Sequence, residues 1–101
     1  MPVLEAAACA LPVLCTRGGP TDDFVLDSFA RRIEATTRPL PVKGRALVAL
    51  EPSLEHLITL MISVLEEEGW RKQAALAGPA HVAANFTWDR VVDDLVRELW
   101  A

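Results

Sequence analysis

The longest regular pattern in the chain follows Glu51-Pro52-Ser53. There Leu54, Leu57, Ile58, Met61, Val64 and Leu65 recur at the i, i+3, i+4, i+7 spacing of one helix face. The spacing predicts a helix with one buried side, opened by Glu51-Pro52-Ser53 and running out in Glu66, Glu67, Glu68 and Gly69. A second helix is expected over about 70–76, stopped by Gly78-Pro79, and a third, short one over 80–85. Trp88, Val91, Val92, Leu95 and Leu99 share the face of a last helix, with Thr87 as its N-cap and Asp89 at the positive end of its dipole.

Before residue 51 the pattern shortens. Pro2 suits a first helical turn, and Leu4, Glu5 and four alanines predict a short helix over 2–10. The apolar run 11–16, bounded by Gly18-Gly19-Pro20, reads as a buried parallel strand. Residues 18–23 then form a turn at that strand's C-terminal end, where α/β folds bind ligands, with Asp22 and Asp23 in capping or turn roles. A helical turn is expected over 24–29. Ile33, Ala35 and Thr37 alternate with Arg32, Glu34 and Thr36 as in a half-exposed edge strand. Pro39, Pro41 and Gly44 predict a loop, and 46–50 a short extended piece. The fold class is therefore α/β: a short parallel sheet followed by several C-terminal helices. It forms one partial domain, α-β-loop-β over 1–50 and helical over 51–101, rather than a complete doubly wound sheet.

A chain of 101 residues has room for one modest core. Its 51% hydrophobic and 24% charged residues are those of a chain that folds. A formal net charge of −4 leaves no positive field to collect a phosphate backbone, so no nucleic-acid partner is expected. Every apolar run ends well before the roughly 18 residues of a bilayer span. Glu5 falls where the apolar part of a secretory signal would begin, with no basic segment before it, which predicts a cytoplasmic chain. Cys9 and Cys15 match neither a redox pair nor a zinc half-site, and both are expected to be buried, inert thiols. His56 and His81 lie on different expected helices without a neighbouring ligand set, so each reads as an ordinary surface or core histidine and no metal is expected. Trp70, Trp88 and Trp100 read as core or interface packing, with Trp100 placed to cover an apolar patch.

The string Pro2-Val3-Leu4-Glu5-Ala6-Ala7-Ala8-Cys9-Ala10-Leu11-Pro12-Val13-Leu14-Cys15-Thr16 resembles the donor-binding segment of glycosyltransferase group 1 (family 4) proteins, roughly E-x-F-G-[LM]-P-x-x-E-A-x-A-x-G-x-P-V-[VIL]. Met1 takes the Leu/Met position and Glu5 the second Glu of the E-x7-E motif. The segments EPSLEHLITLM (51–61), GWRKQAALAGPAHV (69–82) and ANFTWDRVVDDLV (84–96) resemble the late helices of that family, where F-[ST]-W precedes a charged helix. The resemblance spans nearly the whole chain and is most specific over the first 19 residues.

It implies a partial Rossmann-like domain, the C-terminal part of a retaining two-domain (GT-B) enzyme that transfers a hexose from a UDP- or GDP-sugar to a glycan, lipid or protein acceptor. Glu5 would bind the nucleotide ribose, since one carboxylate can accept from both hydroxyls. The N–H groups of Val3 and Leu4 would reach phosphate, and Thr16, Gly18 and Gly19 would line the same cleft. The bland alternatives are a first-turn acid favoured by the helix dipole for Glu5 and simple turn glycines for the pair. No catalytic residue, metal or cofactor is implied within the chain; the nucleotide sugar is a substrate. The family's Gly before L-P is Ala10 here. The first Glu of the motif would lie ahead of Met1, and the partner N-terminal domain is absent, which predicts no turnover by this chain alone. The rival expectation is a non-catalytic module that binds a partner or self-associates through a sheet edge and apolar helix faces.

Overall fold

The computed structural model describes residues 2–45 and 47–100 and orders them as helix, strand, one-turn 3-10 segment, three strands and three helices. Helix α1 covers Pro2–Ala8 and stops two residues short of its expected end. The stop is a tight reversal: Ala10 takes a φ of 65°, Leu11 N–H donates to the carbonyl of Ala6, and Ala10 N–H donates to that of Ala7, both at 3.1 Å. This is the two-bond C-terminal closure that glycine usually serves at the left-handed position. It turns the chain directly into β1, Val13–Thr16.

Strand β1 pairs in parallel with β2, Ala30–Ile33, with Val13 opposite Ala30 and Thr16 opposite Ile33. Their crossover contains the 3-10 turn Pro20–Asp23 and, in the stretch 24–29 expected to hold a helical turn, a single turn closed by Ala30 N–H donating to the Leu26 carbonyl at 3.0 Å. After Glu34 the chain forms an antiparallel hairpin, β3 (Ala35–Leu40) with β4 (Leu47–Pro52). Pro39 therefore lies inside β3 rather than in a loop, and a two-stranded ribbon allows this because it has edge positions to spare. Ala46, the expected start of β4, lies outside the described residues, as do Met1 and Ala101.

Helix α2 covers Leu54–Glu66, with the Ser53 hydroxyl accepting from His56 N–H at 3.2 Å. Arg71 closes its other end by donating to the carbonyls of Val64 and Leu65. Helix α3 runs unbroken over Glu68–Asn85, through the Gly78-Pro79 expected to stop it, so the separate helix over 80–85 is its last part. A proline in a helix clashes with the Cβ of the residue before it, and Gly78 has none. Helix α4 covers Trp88–Trp100 and is capped as expected, with Thr87 Oγ1 accepting from Arg90 N–H at 3.2 Å.

The core gathers Ala7 of α1, Val13 and Cys15 of β1, Val25, Phe29, Ala30 and Ala74 of α3. Helices α1 and α3 meet backbone to backbone: a Cβ added to Gly78 would lie 2.6 Å from the carbonyl oxygen of Ala7. Two expected burials are corrected. Cys9 is exposed, because the reversal at Ala10 lifts it off the core, while Cys15 is buried. In α2 no residue is buried: the inward stripe is His56, Leu57, Leu60, Ser63 and Val64, while Leu54, Ile58, Met61 and Leu65 face out. The helix is apolar around most of its circumference, and polar anchoring by His56 and Ser63, rather than apolar periodicity, sets its rotation.

Helix α4 has no buried residue, with Trp88 85% and Trp100 82% exposed, so these two indoles are not core. The molecule is flat, 46 × 42 × 17 Å, with a radius of gyration of 16.7 Å against the about 13 Å of a compact 100-residue domain. It is a mixed α/β fold with a short parallel sheet and several helices. Among the described residues no helix is long and apolar enough to cross a membrane.

Replacing Ala10 by glycine relieves a left-handed alanine and should raise stability by about 0.5–1 kcal/mol in denaturant unfolding, net of the entropy glycine adds to the unfolded chain. Gly78→Ala should do the reverse, costing about 1–2 kcal/mol after its helix-propensity gain, because the new Cβ meets backbone that no rotamer change can move. A Gly78→Ala protein as stable as the parent would mean that α1 and α3 do not touch there.

Candidate functional site

The residues singled out by sequence fall in two places. Leu4, Glu5 and Ala8 form one wall of an open groove of about 460 Å³, whose other wall is Val82, Phe86, Thr87 and the first turn of α4, Trp88 and Val91. Helix α1 reaches that position because its partner helix α3 passes it at Ala7 and continues to Asn85, delivering Phe86 and Trp88 opposite Leu4 and Glu5. Glu5 is exposed, one turn into α1; Val3 is half-buried and packs on the core.

Thr16, Gly18 and Gly19 follow β1 and are not among the residues lining this groove. Their loop is internally satisfied. Gly18, at a φ of 86°, donates its N–H to Asp22 Oδ2 at 2.7 Å, and the Leu50 side chain of β4 lies over both glycines. Asp22 thus has the turn role expected of it, and it also pairs with Arg32 at 3.2 Å. A phosphate at Gly18 N–H would have to displace that carboxylate. The structure brings Leu4 and Glu5 together and holds the glycine loop apart from them.

A second groove, about 370 Å³, carries Arg17, Arg31, Arg32, Glu34 and His56. Its arginines are matched by carboxylates: Arg17 with Glu34 at 3.1 Å, Arg31 with Glu67 at 2.6 Å, and Arg32 with Asp22 and Asp27, each at 3.2 Å. An anion gains little there. Arg31 is the structural hub that sequence reading missed. It donates to Ser63 Oγ at 2.6 Å and stacks 4.1 Å above the centre of the Trp70 ring, tying β2 to both α2 and α3. The signal for it was an arginine in a four-residue strand that also supplies two buried apolar residues, Ala30 and Ile33.

Both histidines have structural partners. His56 Nδ1 accepts from the Glu34 N–H at 2.7 Å, which puts the ring proton on Nε2. His81 sits between the Phe29 and Phe86 rings, with Nε2 3.0 Å from the Phe24 carbonyl oxygen; that nitrogen must carry the proton. Among the described residues no group of three or more His, Cys, Asp or Glu is arranged to hold a metal ion. No family model matches the chain, and no curated protein or solved structure does either.

The hydrogen bond from Arg31 holds the Glu67 carboxyl below its ordinary value of 4.5, against an opposing desolvation and with a smaller contribution in the same direction from the Arg31 charge. A depressed carboxyl stabilises the fold above its unfolded value and loses that contribution as pH falls through the folded one. On acidification the Arg31 and Trp70 side-chain NMR signals should therefore move together with a midpoint below 4.5, and Glu67→Gln should abolish the step. A step that survives Glu67→Gln would assign the titration to another carboxylate.

Proposed function

We propose that this chain is the nucleotide-sugar-binding part of a retaining glycosyltransferase with two Rossmann-like domains, and that its α1–β1–loop–β2 unit is the end of the donor-side sheet. The observation that carries the reading is the reversal between α1 and β1. The resembled motif has glycine where this chain has Ala10, and Ala10 adopts the positive φ that glycine serves at such a closure. A positive φ at this position supports the reading although the side chain departs from the motif. The parallel pairing of β1 with β2, the loop at the C-terminal end of β1, and Thr87 capping a helix directly after Phe86 fit the same reading.

In this role Glu5 grips the ribose diol of a UDP- or GDP-sugar from its exposed place on α1, with the backbone of Val3 and Leu4 beside the phosphates. Catalysis in such an enzyme is orientation of the donor and stabilisation of the departing diphosphate, supplied across the cleft by the other domain. No residue of this chain is assigned a chemical step, and no metal is required of it. The exposed apolar sides of α2 and α4 are suited to burial against that domain. The same faces, with the edge of β1 that no strand among the described residues pairs, also favour a second reading: a non-catalytic module that binds a partner or its own copy.

An amide-resolved NMR titration with UDP and GDP separates the two. Saturable shifts at Val3 to Glu5, weakened about tenfold or more in Glu5→Ala, are expected for the donor half-site, since a hydrogen bond to a carboxylate contributes about 1.5–3 kcal/mol. A well-dispersed spectrum that neither nucleotide perturbs would leave only the interaction module.

A further inference from the structure

Helix α4 and the β3–β4 hairpin carry charges of opposite sign that the fold leaves unbalanced. On α4 the exposed stripe Val92, Leu95 and Leu99 has Asp89 and Asp93 along one flank and Asp94 and Glu98 along the other, each pair at the i, i+4 spacing of one helix side. Arg90 and Arg97 lie on the opposite side of the helix and both pair with Asp94, at 3.4 and 3.7 Å. Asp89, Asp93 and Glu98 have no ion pair among the described residues. The apolar face of α4 is therefore bordered by acid on both sides. The hairpin is its converse. Residues 38–48 hold Arg38, Lys43 and Arg45 and no acid, and these three cations are exposed without a charged partner among the described residues. Arg38, Leu40 and Leu47 share one face of the ribbon, because side chains alternate along a strand and Leu40 stands opposite Leu47. Leu50 is on the other face, over Gly18 and Gly19, so the Arg38 face is turned away from that loop.

We infer that these two elements meet between copies of the chain: the Arg38 face of one copy's hairpin lies along α4 of a second copy, whose own hairpin lies along α4 of the first. Leu40 and Leu47 then cover the Val92, Leu95 and Leu99 stripe, while Arg38, Lys43 and Arg45 meet Asp89, Asp93 and Glu98. The lengths agree, since a helix of 13 residues and strands of 6 residues both extend about 20 Å. Like elements do not pair, because two α4 helices would set acid on acid and two hairpins cation on cation. Used reciprocally, the two contacts close a pair about a two-fold axis, and both are needed to approach the ~1,200 Å² of a stable interface. This pairing rests on the second functional reading, self-association, and is independent of nucleotide binding at α1. It leaves the apolar side of α2 uncovered.

Sedimentation velocity over a dilution series tests the pairing. At low ionic strength the chain should sediment as a dimer that dissociates on dilution, and about 0.5 M salt should weaken it several-fold by screening the facing charges. Lys43→Glu combined with Arg45→Glu should raise the dissociation constant about tenfold or more, and Asp93→Lys combined with Glu98→Lys should do the same. Asp89 is left in place because its charge also serves the positive end of the helix dipole. All four substituted positions are exposed, so both variants keep the fold. Mixed in equal amounts, the two variants should form a dimer again, because every hairpin then meets a helix of opposite sign. A chain that stays monomeric at all concentrations overturns the pairing. So does a dimer that survives both charge reversals, a mixture that fails to reassociate, or a dimer lost only on Ile58→Asp, which would place the interface on α2. A monomer whose Val3 to Glu5 amides still respond to UDP would remove the pairing and leave the donor reading standing.

Discussion

Helices α1 and α3 touch without side chains at their crossing. Gly78 has no Cβ, Ala7 and Ala74 are fully buried, and the carbonyl of Ala7 occupies the space where a larger residue at 78 would need to be. Everything on the α1 side follows from this contact. It fixes a seven-residue helix, too short to be stable alone, against a helix of 18 residues. It sets the height of α1 over β1, so that the reversal at Ala10 can feed the strand directly. It also aligns Leu4 and Glu5 with the end of α3, where Phe86 and Trp88 complete the groove.

Around that contact the fold is anchored by polar residues on one side and left uncovered on the other. Arg31 bridges β2, Ser63, Glu67 and the Trp70 ring, and His56 clamps the start of α2 to the Glu34 backbone. These interactions orient α2 by its more polar stripe and turn Leu54, Ile58, Met61 and Leu65 outward. Helix α4 likewise directs Val91, Val92, Leu95 and Leu99 to solvent. Burying such residues is worth about 1.5–3 kcal/mol each, so two uncovered faces are a large reserve for association. These uncovered faces accompany a flat profile, 17 Å along its shortest axis.

What could be read from the sequence was what depends on neighbours along the chain. Ser53 and Thr87 cap their helices, Asp22 folds the glycine turn, and β1 stands between its two breaks, because capping and turn chemistry act within four residues. Most of the misses depend on distant contacts. Gly78-Pro79 reads locally as a stop, and only the approach of α1 explains why a glycine is needed inside a helix. The rotation of α2 could not come from periodicity, since a helix apolar on most sides has no unique face to bury. Cys9 is exposed through a backbone angle at Ala10 that alanine rarely adopts. In the candidate site, Leu4 and Glu5 stand out through the resemblance, whereas their meeting with Phe86 and Trp88 joins segments some 80 positions apart and leaves no local trace.

The account depends most directly on the crossing of α1 and α3, and a nuclear Overhauser spectrum of the labelled chain observes that crossing. Strong cross-peaks between the Ala7 and Gly78 α-protons are predicted, together with cross-peaks between the Phe29 and His81 rings, whose centres lie 5.4 Å apart. A folded chain showing the Phe29–His81 contacts but none between Ala7 and Gly78 would contradict the account. It would detach α1 from α3, and with it the groove that Glu5 and Trp88 both line.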